Sequence, residues 1–504
     1  MEIEFILGLL AAGFIFFALS SKRTKEALHM VQLEGYDYEY YVKWLKANGR
    51  RAYSLKKDPQ PIKKPLVMTP RATRLFRANL LVSVVLYMPA VIGIGVLFEN
   101  LILTLIVAAL FLAAVYYLQP LVISWTTLVM KPIEERINQG FYISAQTKIK
   151  NRDDLSVIGI TGSFGKTSTK FIVGTILSER FNVLNTPESY NTPMGLSKVI
   201  NNELTDEHEV FVAEMGAKEL GEIRELAELA RPRIGILTSV GPVHIETFKN
   251  IDNIMKTKYE LIEELPTDGV AIFNYDNEFI RKLADKTFKE KLLYGIEDTE
   301  NLDIYAENIE VSEEGSTFDL KDKDGNSVRC TTKLLGRHNI YNLLAGACAA
   351  RVLGLTFEEI ASGISKILPI EHRLNLIKSP NGVIIIDDAF NSNPIGARAA
   401  LEVLGQFRDG RKIVVTPGMI ELGEMEEPAN REFGVNMGKV CDYVILVGES
   451  RTMPIYEGLM ESNFNKDNIF IVNNLNEATT QLGRITKAGD VVLFENDLPD
   501  NYSE

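Results

Sequence analysis

The chain has 504 residues, of which 46% are apolar, so it is long enough for about three domains. Its formal net charge of −13 disfavours nucleic acid as a partner, because phosphate backbones are bound by basic surfaces. Three widely spaced cysteines, Cys330, Cys348 and Cys441, indicate neither a zinc site nor a disulfide framework. We expect them to be small buried residues in a reducing compartment.

Three apolar runs occupy the first quarter of the chain: Phe5–Leu19, Leu80–Phe98 and Leu101–Leu118. Runs of this length suit helices that cross a hydrocarbon core of about 30 Å. The start of the chain lacks the basic residues of a cleaved signal, so the first run is interpreted as a retained anchor. The sequence thus predicts a transmembrane helix over 1–20 and a transmembrane hairpin over 80–130. The alternative is three helices buried in a protein core.

The distribution of basic residues predicts the orientation of these segments. Ser20–Asn79 carries fourteen Lys or Arg against five Asp or Glu, whereas the Glu99-Asn100 turn has no basic residue. Because cytoplasmic loops are enriched in Lys and Arg, we expect a basic cytoplasmic loop over 21–79, a linker over 131–154, and the rest of the chain in the cytoplasm. The stretch YDYEYYVKWL of the basic loop either lies on anionic lipid or forms a plain helical connection.

Beyond residue 154, short β-branched runs alternate with amphipathic ones, which is typical of an α/β fold. Strands are predicted in LSVIGITG, EVFVAEMG, IGILTSVG and GVAIFNYD, and again in GVIIIDDAF, RKIVVTPG, DYVILVG, NIFIVN and DVVLFEND. Alternation around Asp303–Thr332, with KDKDGN as a hairpin turn, predicts a small antiparallel insert. We therefore expect a P-loop-containing, doubly wound central domain over 155–368 and a Rossmann-like α/β domain over 369–504.

The stretch GITGSFGKTSTK, Gly159–Lys170, follows a predicted strand and opens a predicted helix. Glycine-rich turns of this kind hold a triphosphate with backbone N–H groups and the helix N-terminus. Lys166 is expected to reach the β- and γ-phosphates, and Thr167 to place its hydroxyl on Mg²⁺. The strict P-loop spacing is broken by Ile160, so an ordinary strand-to-helix turn is the alternative. The residues predicted to bind the nucleotide here are Gly162, Ser163, Gly165, Lys166, Thr167 and Ser168.

This loop resembles the ATP loop of the Mur ligases, the ATP-dependent amide-forming enzymes of peptidoglycan synthesis. Further segments resemble motifs of that family in the same order: VFVAEMGAKELGEI, TSVGPVHIETF, KTKYEL, GRHNIYNLLAG, EHRLNLI, IIDDAFNSNPIGARAALEVL and GMIELGEMEEPANREFG. The last two are most similar to the branch that adds D-alanyl-D-alanine. The resemblance covers Leu155–Gly434, a little over half of the chain.

The resemblance implies metal ligands and a reaction. Glu214 and Thr167 are expected to hold one Mg²⁺, and His244 a second with Lys258, carbamylated so that it offers oxygen ligands. Lys256 is the weaker candidate for this carbamate. In the implied reaction, ATP phosphorylates a carboxylate and an amine attacks the acyl phosphate. The residues expected to act in catalysis are Lys166, His244, Lys258 and Arg373.

The resemblance also implies nucleotide contacts through Asn339 and Asn342, and through Arg373 once the C-terminal domain closes. Asp387 or Asp388 is expected to bind ribose or the acceptor, and Asp388 is taken as the nucleotide contact.

Two pairs of residues are expected to contact substrates, each with a structural alternative. Asn391 and Asn393 either bind the incoming amine or cap a helix. Asn191 and Thr192 either contact the acceptor or belong to an ordinary turn.

The sequence therefore predicts a membrane-anchored, ATP- and Mg²⁺-dependent ligase at the bacterial inner membrane that joins an amino acid or dipeptide to a peptidoglycan precursor. Predicted membrane helices stand where Mur ligases carry a domain for uridine diphosphate, so both UDP-linked and lipid-linked acceptors stay open. The alternatives are a polyglutamate-type ligase, a catalytically inactive nucleotide-binding scaffold and a transport ATPase. The last has no evident charged pathway through the apolar runs.

Overall fold

The computed structural model describes residues 2–54, 65–98, 101–187, 190–243, 245–312, 314–389, 392–420 and 422–497. The described residues form two compact units, which divide between Gly140 and Phe141.

Helices make up most of the described part of the N-terminal unit. Its helices are α1 (Glu2–Leu33), α2 (Tyr38–Ala47), α3 (Gly49–Ala52), α4 (Pro70–Phe98), α5 (Leu101–Tyr117) and the part of α6 (Gln119–Lys150) that ends at Gly140. Asp37 begins α2, because its carboxylate accepts hydrogen bonds from the backbone N–H groups of Glu39 and Tyr40 at 2.8 and 3.0 Å. The tyrosine-rich stretch is thus a helix.

Helices replace much of the predicted loop and linker. The segment predicted as a linker over 131–154 is helical as far as Lys150. Packing explains this helix. Arg74 donates hydrogen bonds to Glu134, and Ala145 and Ile149 are buried in the same hydrophobic core as Val157. This helix is largely polar, so its few apolar residues do not form the repeated pattern by which a helix is predicted from sequence.

Within the described residues, no single helix combines the length and hydropathy needed to cross a membrane. Residues Ile102–Tyr117 and Gln119–Lys150 satisfy the criteria only as a pair, which is bent by 67° between them. The predicted transmembrane helix over 1–20 and hairpin over 80–130 are therefore not supported as straight separate spans.

The second unit begins with a nine-stranded sheet in the order β2-β3-β1-β4-β5-β6-β7-β8-β9. Its strands are β1 (Ser156–Thr161), β2 (Val183–Asn185), β3 (Val210–Glu214), β4 (Ile234–Leu237), β5 (Val270–Asn274), β6 (Glu290–Gly295), β7 (Ile304–Ser312), β8 (Gly315–Asp322) and β9 (Ser327–Thr332). Its helices are α7 (Lys166–Leu177), α8 (Pro193–Asn202), α9 (Glu222–Ala230), α10 (Ile245–Phe248), α11 (Ile251–Glu263), α12 (Glu278–Asp285), α13 (Arg337–Val352) and α14 (Phe357–Lys366).

Pairing in this sheet is parallel from β2 to β7 and antiparallel from β7 to β9. The predicted antiparallel insert is confirmed, with its hairpin turn between β8 and β9. Strand β1 lies between β3 and β4, and the strand order reverses there. In open α/β sheets a ligand crevice lies outside the carboxyl ends of the strands at such a reversal.

The remaining six strands form a second sheet in the order β10-β11-β15-β12-β13-β14. These are β10 (Asn375–Lys378), β11 (Ile384–Asp388), β12 (Lys412–Thr416), β13 (Tyr443–Val447), β14 (Ile469–Val472) and β15 (Val491–Glu495), connected through α15 (Pro394–Gln406), α16 (Glu426–Val440), α17 (Glu449–Glu461) and α18 (Leu475–Ile485). Only β10 is antiparallel to its neighbour. All nine strand segments predicted from the sequence are present, and Cys330, Cys348 and Cys441 are buried as expected.

Candidate active site

A cavity of about 220 Å³ opens at the carboxyl ends of β1 and β3. It lies where the strand order reverses, so the position agrees with the general rule for α/β sheets. The residues that line it are Gly162, Ser163, Lys166, Asn191, Thr192, Pro193, Gly216, Ala217, Lys218, Glu222, Val243, Phe248, Ile254 and Lys258. Six of these were predicted from the sequence as site residues: Gly162, Ser163, Lys166, Asn191, Thr192 and Lys258.

The loop between β1 and α7, called the phosphate loop below, needs glycine at two positions because other side chains come very close to its backbone there. Gly162 has φ 155°, and a Cβ there would lie 2.1 Å from Oγ1 of Thr238. Gly165 has φ 80°, and a Cβ there would lie 2.7 Å from Oδ1 of Asn342. A larger residue at either position would displace the loop, because left-handed backbone and close contact both exclude a side chain.

The start of the loop is anchored to the segment after β4. The N–H groups of Ser163 and Phe164 donate to the carbonyl oxygen and the hydroxyl of Ser239, each at 2.8 Å. These two donors are therefore used within the protein. The N–H groups of Lys166 and the residues after it belong to the first turn of α7, where a helix offers unpaired donors to an anion.

Lys166 folds back over the loop that precedes it. Its Nζ donates to the carbonyl oxygens of Gly162 and Ser163 at 2.8 and 3.3 Å. Burial lowers the pKa of Lys166, opposed by nearby Glu214 and reinforced by Arg373. Thr167 and Ser168 follow in the first turn of α7 and are partly exposed.

Glu214 ends β3 and is held on both of its carboxylate oxygens. Nζ of Lys170 lies 3.2 Å from Oε2, and Nδ2 of Asn191 donates to Oε1 at 3.0 Å. The side chains of Lys170 and Glu214 are 0% and 1% exposed, so this ion pair is fully desolvated. Asn191 thereby connects the loop predicted to contact the acceptor with the carboxylate predicted to bind metal.

Lys258 lies on α11 and points into the same cavity, where it is 3% exposed. Its Nζ lies 5.7 Å from the centre of the Phe248 ring. Burial, together with the charge of Lys166, lowers the pKa of Lys258 to about 7, and Glu222 and Glu260 oppose this change. A substantial fraction of this amine is therefore uncharged and nucleophilic near neutral pH.

The two asparagines of α13 pack against the phosphate loop from the other side. Oδ1 of Asn342 accepts from Oγ1 of Thr169 at 3.1 Å, and Nδ2 of Asn342 donates to Oδ1 of Asn339 at 3.2 Å. Nδ2 of Asn339 donates in turn to the carbonyl oxygen of Leu335 at 2.8 Å. Both asparagines are buried, and their amides support α7 and Gly165. The adenine contact stays a prediction.

Arg373 precedes β10, and its charge acts on Lys166 of the central domain. Burial lowers the pKa of Arg373, opposed by Asp388 and Glu214. Asp388 at the end of β11 accepts from the N–H of Leu374 at 3.2 Å. The residue after Arg373 is therefore hydrogen-bonded to β11. Asp387 instead accepts from Nδ1 of His372 at 2.8 Å.

The remaining predicted site residues either cap helices or lie outside the described residues. Asn393 caps α15, since its Oδ1 accepts from the N–H groups of Ile395 and Gly396 at 3.1 and 2.8 Å. Thr192 caps α8 with a hydrogen bond from the Gly195 N–H at 3.3 Å. His244 and Asn391 lie outside the described residues.

Two residues of the site were missed by sequence reasoning. Lys170 falls one helical turn after Lys166 in the quoted loop, and that i, i+4 spacing places both on one face of α7. Glu222 begins α9, lines the cavity and is close enough to Lys258 to affect its pKa. Glu222 stands near the end of the quoted motif VFVAEMGAKELGEI, but no role was predicted for it.

Two stretches of the chain match known protein families. Residues 160–350 match the Mur ligase middle domain, and residues 372–495 match the Mur ligase glutamate ligase domain. Over 342 residues the chain is 31% identical to the UDP-N-acetylmuramoyl-tripeptide–D-alanyl-D-alanine ligase of Bacillus subtilis strain 168, which covers 67% of this chain and 72% of that protein. The chain belongs to the Mur ligase family.

Further relatives within this family carry the same activity in their names. The Escherichia coli K12 UDP-N-acetylmuramoyl-tripeptide–D-alanyl-D-alanine ligase is 32% identical over 55% of this chain and 61% of its own length. The crystal structure of MurF ligase from Thermotoga maritima, solved in complex with ADP, has a TM-score of 0.64 and 28% identity, and covers 71% of this chain and 80% of that chain. The predicted Mur ligase family, ligase class and α/β fold are thus confirmed. The roles of individual residues stay predictions.

Proposed function

We propose that this Mur ligase uses ATP to join an amine, of the D-alanyl-D-alanine type, to the terminal carboxylate of a UDP-N-acetylmuramoyl-tripeptide-type precursor. The observation that carries the proposal is the convergence of Lys166, Glu214, Asn191 and Lys258 at the carboxyl ends of β1 and β3. The names of the matched relatives support the choice of acceptor and amine.

In the proposed reaction, a carboxylate oxygen of the acceptor attacks the γ-phosphorus of ATP, and ADP leaves. The amine nitrogen then attacks the carbonyl carbon of the acyl phosphate; inorganic phosphate leaves and the nitrogen loses a proton. Lys166 and Arg373 would compensate charge on the transferring phosphoryl oxygens. Asn191 and Thr192 would orient the acceptor where they line the cavity.

The donor set fits Mg²⁺ bound chiefly through nucleotide phosphates. Among the described residues there is no group of three or more His, Cys, Asp or Glu side chains that would hold a metal. Mg²⁺ commonly takes one or two carboxylates, substrate phosphates and water. Glu214 and Thr167 would supply the carboxylate and hydroxyl, and the ion would neutralise phosphate charge.

A carbamate on Lys258 would complete the charge balance of the cavity. Lys166 and Lys258 both line it, and their charges repel each other, which contributes to the low pKa of Lys258. The uncharged amine would attack carbon dioxide, forming an N–C bond and releasing one proton. The product places an anion beside Lys166 and offers oxygens to a cation.

The proposal extends to location at the cytoplasmic face of a bacterial inner membrane. Apolar side chains are strongly exposed along the N-terminal helices, as in Phe14 at 75%, Ile102 at 71%, Leu110 at 65% and Trp125 at 58%. Exposed apolar surface of this extent is typical of protein or membrane contact. Sodium carbonate extraction of cell membranes tests this location: retention in the pellet supports it, and complete release contradicts it.

The reaction is tested by offering ATP, Mg²⁺ and D-alanyl-D-alanine with either a UDP-linked or a lipid-linked muramoyl tripeptide. ADP release that requires both acceptor and amine, with the UDP-linked acceptor, is the expected result. Turnover only with the lipid-linked acceptor would replace the soluble acceptor by a membrane one. Turnover only with a polyglutamate primer would overturn the proposal.

A further inference from the structure

Two carboxyl groups stand side by side where two strands of the second sheet end. Asp388 is the last residue of β11 and Glu495 the last of β15, and the two residues are paired in the parallel register of these strands. Paired residues of neighbouring strands point to the same face of a sheet, and the strands are about 4.8 Å apart. The two side chains are therefore neighbours, and Asp388 is one of the residues predicted to contact the nucleotide.

Glu495 is the more deeply buried member of this pair. It is 1% exposed, whereas Asp388 is half-buried. Oγ of Ser392 donates to Oε1 of Glu495 at 2.5 Å. Oε2 is also buried, and within the described part of the chain no N–H or hydroxyl group donates to it. An ionised carboxylate in this state is costly to bury, and a negative charge on the neighbouring strand adds to the cost.

The charged groups around the pair decide which carboxyl group is ionised. Burial raises the pKa of Glu495 well above its ordinary value, and the charge of Asp388 raises it further. Burial raises the pKa of Asp388 as well, but the charge of Arg373 and the N–H of Leu374 oppose that change, while Asp387 adds to it. Two neighbouring carboxyl groups do not both ionise readily. The negative charge therefore belongs on Asp388, beside Arg373, and the proton on Glu495.

Hydrogen bonds around Glu495 indicate which of its oxygens carries that proton. Oε1 accepts from Ser392, so Oε1 acts as the carbonyl oxygen and the hydroxyl is on Oε2. Ser392 is itself held, since its N–H donates to Oδ1 of Asn496 at 3.2 Å, and Nδ2 of Asn496 donates to the carbonyl oxygen of Gly418 at 2.6 Å. The N–H of Asn496 donates to the carbonyl oxygen of Asp388 at 3.2 Å. These bonds hold the ends of β11 and β15 together, with the hydroxyl of Glu495 available to Asp388.

We propose that Glu495 is a positioning residue: as a neutral carboxylic acid it donates a hydrogen bond to Asp388, which then presents a single negative charge to Arg373. The inference rests on the proposed function, in which Arg373 compensates charge on the phosphates of ATP. If Glu495 were ionised, a second carboxylate would compete with those phosphates for Arg373 and repel the nucleotide. The neutral acid instead holds Asp388 in place without adding negative charge beside a polyanion.

Infrared difference spectroscopy of the full chain tests the charge of Glu495 without any substrate. At a pH of about 7.5 ordinary glutamates are ionised, because their pKa is about 4.3. We expect the wild type to show the C=O stretch of a protonated carboxyl group, shifted in D₂O, that is lost in Glu495→Gln and kept in Glu402→Gln. Glu402 is exposed on α15 and is the matched control. A spectrum of Glu495→Gln that keeps this band would overturn the neutral acid.

Calorimetric titration with Mg²⁺ and the β,γ-imido analogue of ATP tests the positioning role. Glu495→Gln puts a neutral amide donor in place of the hydroxyl, so we expect it to bind the analogue within about threefold of the wild type. Glu495→Ala removes a hydrogen bond to a charged group and should bind roughly tenfold more weakly. Far-UV circular dichroism checks that each variant folds. If the alanine variant does not fold, the glutamine variant still decides, because clearly weakened binding by it contradicts the proposal.

Equal affinity in the wild type and both Glu495 variants would overturn the positioning role. An equal loss in both variants would mean that binding needs a charge on Glu495, which also overturns it. Neither measurement uses an acceptor or an amine, so the two proposals stay separate. Ligation by a protein that lacks the protonated-carboxyl band contradicts only the role of Glu495, and the band and the affinity difference without ligation contradict only the proposed reaction.

Discussion

The buried ion pair between Lys170 and Glu214 is expected to be strongly coupled. Lys170→Met should destabilise the central domain, because it leaves a carboxylate that is 1% exposed without its cation. At the observed Nζ–Oε2 separation of 3.2 Å, an effective dielectric of about 20 gives an attraction of about 5 kcal/mol. Removing one partner of such a pair costs about 3–5 kcal/mol.

The double variant Lys170→Met/Glu214→Gln should recover part of this loss. It removes both charges, and the new amide keeps an oxygen for Asn191, so we expect a remaining cost of about 1–2 kcal/mol. The free energies of unfolding are measured by urea denaturation followed by circular dichroism, with tryptophan fluorescence as the separate signal of the N-terminal unit. The surface pair Lys366–Glu179, with the lysine 60% exposed, is the matched control and should couple by less than about 1 kcal/mol. A coupling energy for Lys170 and Glu214 below about 0.5 kcal/mol would refute the reasoning.

Three further outcomes are expected. Lys258→Ala should abolish acceptor-dependent ADP release and regain part of it with short carboxylic acids, whereas full activity of this variant would exclude a carbamate. Wild-type activity without added bicarbonate should fall as the pH drops below about 7, where the Lys258 amine becomes protonated. Gly165→Ala should lose ATP binding, because the new methyl group would collide with Asn342. The control Gly221→Ala, at φ 92° with open space around it, should cost only backbone strain of about 1–2 kcal/mol. Equal ATP affinities of the two variants, measured by calorimetry, would contradict this. Asn393→Ala should lower stability by about 1 kcal/mol and leave the KM for the amine unchanged if capping is its role, and a raised KM at unchanged stability would assign it to the amine instead.

The sequence located the long buried strands of both sheets but not the short or polar ones. Every residue of β3 and all but the first residue of β1 are buried, so their apolar runs are unambiguous. Strand β2 has only three residues, and β10 ends in two exposed positions. Such segments are strands because a neighbour pairs with them, and that information is absent from the local sequence.

The candidate site was predictable where a motif fixes a residue on a strand end or loop, and not where partners come from distant segments. Lys166 and Lys258 were identified because each stands in a quoted motif. The bond from Asn191 to Glu214 spans 23 residues, and the ion pair from Lys170 to Glu214 spans 44. Tertiary folding creates both contacts, so neither could be found from spacing.

The central claim is tested most directly by mass spectrometry of the reaction product. Purified full-length protein is incubated with ATP, Mg²⁺, UDP-N-acetylmuramoyl-tripeptide and D-alanyl-D-alanine, and the UDP-linked product is weighed. The account predicts a new species heavier by one D-alanyl-D-alanine less one water, formed with one ADP per bond and lost in Lys166→Ala. ADP release without this species, or the species without ATP, would contradict it.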